Sequence, residues 1–505
     1  MRKKLRKSKV IDKIALLTIL FIGLILRLIP ALRLEFWFDE TFTFFTKDLN
    51  FWEVIFYDPP HPPFFYWLVR FWSQLNTSQL FLRIPLLIFF LISCYLIFKI
   101  GKNINLNKYF PLTVSLFFSL HILMIEIGIE FKMYSLIVLL MLFSIFSLFR
   151  ILQKQKKWVV VFCVTNLLGI LTDYAFIWYF IGLFISFLII YFLNHFIKFR
   201  DDKEMKSLLF AFIFSIILMM IWLPVFIMNF QKAFINTGHL YGDYSFSTQK
   251  IKDATKFLFS IPYWLGDSID FIFYFLYFFS NLAYFICTVV YFPSKKLEKI
   301  FFWLIIGAFF YFSRNLAICL GWFLPHIIFE AKNSIVVSLF SICSLAGIVS
   351  LLLESKRLIS KIAGLVLLLG LVIIYGWVYF RLGYYKNSGI WHERYSYKDA
   401  AEYLKKEANF SQDKLFFIKP WNNITFNYFF FDYFKNKYNS NLTYNLGNPE
   451  DFALGIPAAT FWLVNFENYD LTENEAVIFN FFKNCDLENN PICYKKAILY
   501  KCEIK

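Results

Sequence analysis

The sequence predicts an α-helical polytopic membrane protein, about eleven transmembrane helices followed by a small α/β domain outside the bilayer. Three observations carry this. The 505 residues are 59% hydrophobic and 22% aromatic, too apolar for polar side chains to cover a soluble domain of that size. Apolar runs of about 20 residues, enough to cross the hydrocarbon, recur with short polar breaks from residue 14 to residue 381. Beyond residue 382 the composition turns to mixed polar and apolar.

The runs fall near 14–33, 80–100, 109–127, 133–151, 158–172, 175–197, 207–227, 269–292, 299–319, 334–353 and 362–381. The first follows a basic leader, MRKKLRKSK, but has no small-residue cleavage site and reads as a retained anchor. The other basic stretches are KIGKNINLNK, RILQKQKK, KFRDDKEMK, PSKKLEK and ESKRLISK, and they fall at alternate breaks. By the positive-inside rule this puts the N-terminus in the cytoplasm of a multi-pass plasma-membrane protein. An odd span count then sends residues 383–505 to the outer face. The formal net charge of +16 is therefore topological; its partners are membrane lipids, and no nucleic acid is implied.

In that outer segment SYKDAAEYLKKEANF reads as a Ser-capped helix and ENEAVIFNFFKNC as another. KLFFIK, ATFWLVNF and KAILYKCEI read as strands. The domains are thus 1–382 in the membrane and 383–505 outside. Cys94, Cys163, Cys287, Cys319 and Cys343 sit in apolar runs as filler, and Cys485 with Cys493 is the expected disulfide of the outer domain.

Charge at a membrane border needs a partner or a cavity. The first outer loop, 34–79, carries the candidate catalytic site: Asp39 and Glu40 in FWFDETFTFF, then Asp58 and His61 in YDPPHPP. The third and fourth runs meet at EIGIEFKMY, with Glu126, Glu130, Lys132 and Tyr134. The fifth ends in TDY at Asp173, and HIIFEAKN carries His326, Glu330 and Lys332. All fall on the outer side, as a shared outward-facing cavity would require. Taken singly, each has a plainer reading: interfacial acids, a rigid Pro turn, snorkelling lysines and an aromatic belt. Carboxylates can take a proton from an attacking hydroxyl, and lysines can neutralise a departing phosphate. A substrate with an apolar tail and a phosphate head, such as a polyprenyl-phosphate sugar, would meet them at this depth. The alternative is a transporter or flippase, yet the spans' interiors are almost free of charge and no internal repeat is visible. Arg27 and Arg314, in or near spans, have no evident role and could pair with one of the acids.

In their order these motifs resemble the GT-C fold lipid-linked-sugar glycosyltransferases, in particular the protein O-mannosyltransferase and aminoarabinose transferase relatives. The resemblance rests on FDE after the first span, DPPHPP followed by FFYWLVRFW, FLRIP opening the second span, Glu130-x-Lys132-x-Tyr134, and TDY. Many relatives have Arg where this chain has Lys132, and THY where it has TDY; Lys keeps the charge without the bidentate fork. The resemblance implies an inverting glycosyltransferase with a polyprenyl-phosphate donor. The acceptor would be a hydroxyl of a protein, glycolipid or cell-wall glycan. It makes Asp39 the general base, Glu40 its tuner or the acceptor's orienter, and Lys132 and Lys332 the donor-phosphate ligands. Asp58 and His61 take the acceptor side or a divalent metal ion, while Glu130, Tyr134, Asp173 and Glu330 contact or support the sugar.

Overall fold

The computed structural model describes residues 2–36, 38–58, 61–174, 176–197, 202–237, 270–294, 298–307, 335–381, 402–404, 406–407, 414–417, 443–445, 460–466, 492–494 and 497–503. They divide into two compact units, one of Met1–Ile29 with Lys47–Tyr379, the other of Pro30–Thr46 with Phe380–Lys505.

The larger unit is helical. In chain order the helices are α1 (Arg2–Arg33), α2 (Phe38–Phe45, in the smaller unit), α3 (Glu53–Tyr57), α4 (Phe64–Ser73), α5 (Gln79–Ile104) and α6 (Phe110–Leu120). They continue with α7 (Ile122–Glu126), α8 (Tyr134–Leu152), α9 (Trp158–Thr172), α10 (Phe176–Ile197) and α11 (Asp202–Thr237). After these come α12 (Asp270–Tyr291), the helical residues 298–307, α13 (Ile335–Glu354) and α14 (Leu358–Arg381). Among the described residues five helices are long and apolar enough to cross a bilayer: Val10–Arg33, Gln79–Ile104, Tyr134–Leu152, Lys203–Asn229 and Leu358–Phe380. Shorter apolar helices accompany them, so this is a multi-pass membrane protein.

Helix ends obey local chemistry. Helix α5 stops at Asn105, which takes the left-handed conformation at φ 49°. Two residues on, the Asn107 side chain accepts the Tyr109 and Phe110 N–H groups at 3.0 and 2.9 Å and starts α6, which has Pro111 in its first turn. Helix α8 is the pillar: 89% of its apolar window is buried, against 22% for α11 and 17% for α14, which leave most of their surface to lipid. It packs on α5 and α9. Ser144 donates to Asn166 Oδ1 at 2.9 Å and Tyr179 to the Met141 carbonyl at 2.8 Å, polar glue of the kind that orders helices where lipid removes the hydrophobic drive. Cys94, Cys163, Cys287 and Cys343 are buried free thiols in these helices, the expected filler. Cys319 and Cys485 lie outside the described residues, and with Cys485 the expected disulfide.

The run read as one span over 109–127 is broken. His121 is extended, at φ −63° and ψ 126°, between α6 and α7. The break leaves helix-end carbonyls inside the membrane, and Arg27 on α1 answers them: Nη1 donates to Ser119 O at 3.0 Å and to Gly23 O at 2.9 Å, and Nη2 to Met124 O at 2.8 Å. Its guanidinium carbon lies 3.5 Å from the centre of the Phe90 ring. Arg27, which the sequence left without an evident role, thus caps carbonyls. Gly23 allows the approach, since a Cβ there would sit 2.5 Å from Phe90 and 3.1 Å from Ser119. Arg314 lies outside the described residues.

The smaller unit holds α2 and a five-stranded mixed sheet of order β2-β1-β3-β5-β4, with β1 Lys414–Phe417, β2 Thr443–Asn445, β3 Thr460–Phe466, β4 Ile492–Tyr494 and β5 Ala497–Glu503. Strand β1 runs parallel to β2 and β3, and β5 antiparallel to β3 and β4. The strands read from KLFFIK, ATFWLVNF and KAILYKCEI are β1, β3 and β5; residues 402–404 and 406–407, within SYKDAAEYLKKEANF, are helical. The segment ENEAVIFNFFKNC lies outside the described residues.

Candidate functional site

The acid pair that opens the first outer loop stands on a helix. Asp39 and Glu40 occupy the first turn of α2, where the free N–H groups and the helix dipole favour negative charge. Thr43 donates to the Asp39 carbonyl at 2.8 Å and Thr46 to the Thr43 carbonyl at 2.7 Å, tightening the helix. Glu40 is buried at 2% exposure, Asp39 only partly.

Farther along, in the larger unit, reciprocal bonds start α3: Asn50 Oδ1 accepts from Trp52 and Glu53 N–H, and Glu53 Oε2 accepts the Asn50 N–H at 2.7 Å. Asp58 ends that helix. Its carboxylate accepts the Tyr66 hydroxyl, and its carbonyl accepts the His61 N–H at 2.9 Å. Burial first, then the charges of Asp58 and Asp48, push the neighbouring Tyr57 hydroxyl above its ordinary range.

Helix α4 is too short to span, and it buries Phe65, Tyr66, Val69 and Ser73 on one face while exposing Phe71. Trp67 pins it to the loop, donating to Phe51 O at 3.1 Å and stacking on the Phe51 ring at 4.3 Å. Its inner face meets the EIGIEFKMY segment, where Phe65 packs edge-on against Phe131 at 6.2 Å. That segment leaves α7 as a chain of turns, Ile127 N to Leu123 O, Gly128 N to Ile125 O, Glu130 N to Glu126 O and Lys132 N to Glu130 O, and then enters α8 at Tyr134. Lys132 is 3% exposed and Tyr134 is buried.

Helix α4 also packs on α9. Beyond it Asp173 is the corner residue, donating to Gly169 O and accepting from Phe176 N, each at 3.0 Å. Gly169 makes the corner possible, because a Cβ there would lie 2.4 Å from the Phe176 ring. The Tyr174 hydroxyl meets Trp222 Nε1 at 3.4 Å and the Asn229 side chain. Burial above all raises its pKa; Asp173 adds to this, while Trp222 and Asn229 oppose it. Asn229, fully buried, donates to Ile55 O at 3.0 Å and ties the end of α11 to α3.

In the larger unit α4 is thus linked to Asp58 through Tyr66 and to the Glu126–Tyr134 segment through Phe65 and Phe131, and it packs on α9, which Asp173 ends. Asp39 and Glu40 belong to the other unit, and Glu330, Lys332 and His326 lie outside the described residues. Sequence reasoning passed over Tyr66 and Asn229 and named Arg27 without a role; for Asn229 the one available signal was a polar residue closing an apolar run, as in the IMNF of α11. As a metal site, Asp58 with His61 falls short: among the described residues no three His, Cys, Asp or Glu converge, and Asp58 is engaged by Tyr66.

Comparison with known proteins adds an independent view. A family model described as dolichyl-phosphate-mannose-protein mannosyltransferase matches residues 60–224, the stretch from the HPP element into α11. No curated protein sequence matches the chain. Among solved structures, ArnT from Cupriavidus metallidurans in the apo state is similar at a TM-score of 0.55 and 11% identity, over 99% of this chain and 98% of that one. The same protein bound to undecaprenyl phosphate matches at 0.50 and 10%, over 97% of each chain. The Archaeoglobus fulgidus oligosaccharyltransferase, in a complex with Zn and sulfate, matches at 0.51 and 10%, over 82% of this chain and 61% of its own. At such identities these likenesses speak to architecture, and the architecture is the GT-C fold.

Proposed function

We propose that the chain is an inverting glycosyltransferase that moves a sugar from a polyprenyl-phosphate carrier to an acceptor hydroxyl at the outer face of the plasma membrane. The observation that carries this reading is Lys132: a lysine 3% exposed, at the lip of a membrane helix, on a segment braced against the HPP helix and inside the region matched by the mannosyltransferase family model. A lysine placed there can neutralise a phosphate whose ester oxygen is leaving. The likeness to ArnT bound to undecaprenyl phosphate supports a polyprenyl phosphate as that anion's carrier.

In this reading the acceptor hydroxyl gives its proton to the Asp39 carboxylate as its oxygen attacks the anomeric carbon. The bond from that carbon to the phosphate oxygen breaks on the opposite side, which inverts the configuration. Polyprenyl phosphate leaves with its new negative charge held by Lys132 and Lys332. Glu40 orients the acceptor, and Asp58 and His61 shape its side of the cavity. Glu130, Asp173 and Glu330 contact the sugar, with Tyr134 in support. About eleven spans, an N-terminus in the cytoplasm and the domain beyond residue 382 outside follow from the positive-inside pattern; that domain closes the cavity or admits the acceptor.

The test is release of sugar from a radiolabelled polyprenyl-phosphate sugar by the purified protein, with Asp39→Asn beside it. Transfer by the wild type and its loss in the variant are expected. Equal turnover by both would remove Asp39 as the base, and substrate movement across vesicles without cleavage would replace the enzyme with a transporter.

A further inference from the structure

We propose that Arg27 is a positioning residue for donor binding: it holds residues 121–133 in the wound form that presents Lys132, an inference that rests on the reading of Lys132 as a phosphate ligand. Arg27 is fully buried on a membrane helix, where a guanidinium is expensive and persists only where it satisfies several groups at once. Here it spans the break in the third run. One arm reaches the carbonyl of Ser119 before the break and the other that of Met124 after it, at 3.0 and 2.8 Å. From Met124 the chain continues through the consecutive turns to Lys132, with Phe131 seated on Phe65 at the far end. The segment is thus held at both ends, by Arg27 and by α4.

Gly128 supplies a second, independent observation. A Cβ there would lie 2.7 Å from Arg27 Nε and 3.0 Å from its Cδ, so the guanidinium lies in a recess that a glycine in the same segment leaves open. An arginine that only stapled α1 to its neighbours would place no such demand on the loop carrying Lys132.

A double-mutant cycle separates the two roles. The probe is undecaprenyl phosphate, its Kd measured on the full chain in nanodiscs for the wild type, Arg27→Met, Lys132→Met and the double variant. Each single change is expected to raise Kd about tenfold, and the double variant to bind no worse than Lys132→Met. Arg27→Lys, with the charge but not the two-armed reach, should fall between wild type and Arg27→Met. Gly128→Ala provides a milder variant should Arg27→Met not fold: it should weaken binding where Arg27 is present and add nothing in the Arg27→Lys background. Additive effects, or unaltered Kd in Arg27→Met and Gly128→Ala, would overturn this inference alone. Unaltered Kd in Lys132→Met would overturn it together with the reading beneath it.

Discussion

Replacing Asn229 with leucine should loosen the corner where α11, α3 and Tyr174 meet. The side chain is fully buried and donates to Ile55 O at 3.0 Å, besides its bond with the Tyr174 hydroxyl. A buried neutral hydrogen bond contributes about 1 kcal/mol net, and a carbonyl left unsatisfied costs about 1–3 kcal/mol. Together the loss is about 3 kcal/mol. The larger unit holds about 360 residues, and at about 2.1 cal/mol/K of unfolding entropy per residue it has an entropy near 0.75 kcal/mol/K. The melting temperature should therefore fall by about 4 °C. The buried free thiols Cys94, Cys163, Cys287 and Cys343 make the assay direct, because a thiol-reactive dye reports their exposure as detergent-solubilised protein is heated. Thr18→Ala is the control: this residue is exposed on α1, its hydroxyl bonds only its own helix at Ile14 O, and the change should move stability by less than about 0.5 kcal/mol. An Asn229→Leu protein that melts with the wild type would refute the argument that this asparagine fastens α11 to α3.

Other changes extend the test. Asp39→Asn should lower transfer by about 10²- to 10⁴-fold in a sugar-release assay while leaving the melting temperature within about a degree. Gly169→Ala forces a methyl into the Phe176 ring and should destabilise by about 1–3 kcal/mol, read in the same thiol assay; an unchanged melt would mean the α9–α10 corner yields. Tyr57 and Tyr174 both have hydroxyls pushed above the ordinary tyrosine range, chiefly by burial. Their contribution to stability is complete below about pH 10 and is lost as pH rises through their folded values. Alkaline melting curves should accordingly flatten in Tyr57→Phe and Tyr174→Phe.

Much of the membrane architecture was legible because hydrocarbon imposes one rule on sequence, a long run without charge, and runs such as those of α5, α8 and α14 obey it. What composition could not show was continuity. The run over 109–127 is apolar on both sides of His121, so nothing local marks the break; its compensation, Arg27, stands 94 positions upstream in another helix. The aromatic-rich FDETFTFF was read as part of a loop, yet it is α2; its Phe38, Phe42 and Phe45 sit at helical spacing, but eight residues are too few for that period to stand out among so many aromatics. Strands β2 and β4 have three residues each, too few for alternation to register. At the site, the motifs could be ordered along the chain but not paired. Phe65 with Phe131 and Asn229 with Ile55 join residues 66 and 174 positions apart, and such closure is a property of the fold.

The strand order has a consequence for biosynthesis. Among the described residues strand β4 attaches to the sheet only through β5, which follows it at residues 497–503 and pairs seven residues with β3. A nascent chain halted before residue 497 therefore has β3 with one naked edge and β4 with no neighbour, open to foreign strands. Closure of the sheet must therefore wait until residues 497–503 have emerged, and until then β3 and β4 are open to mispairing.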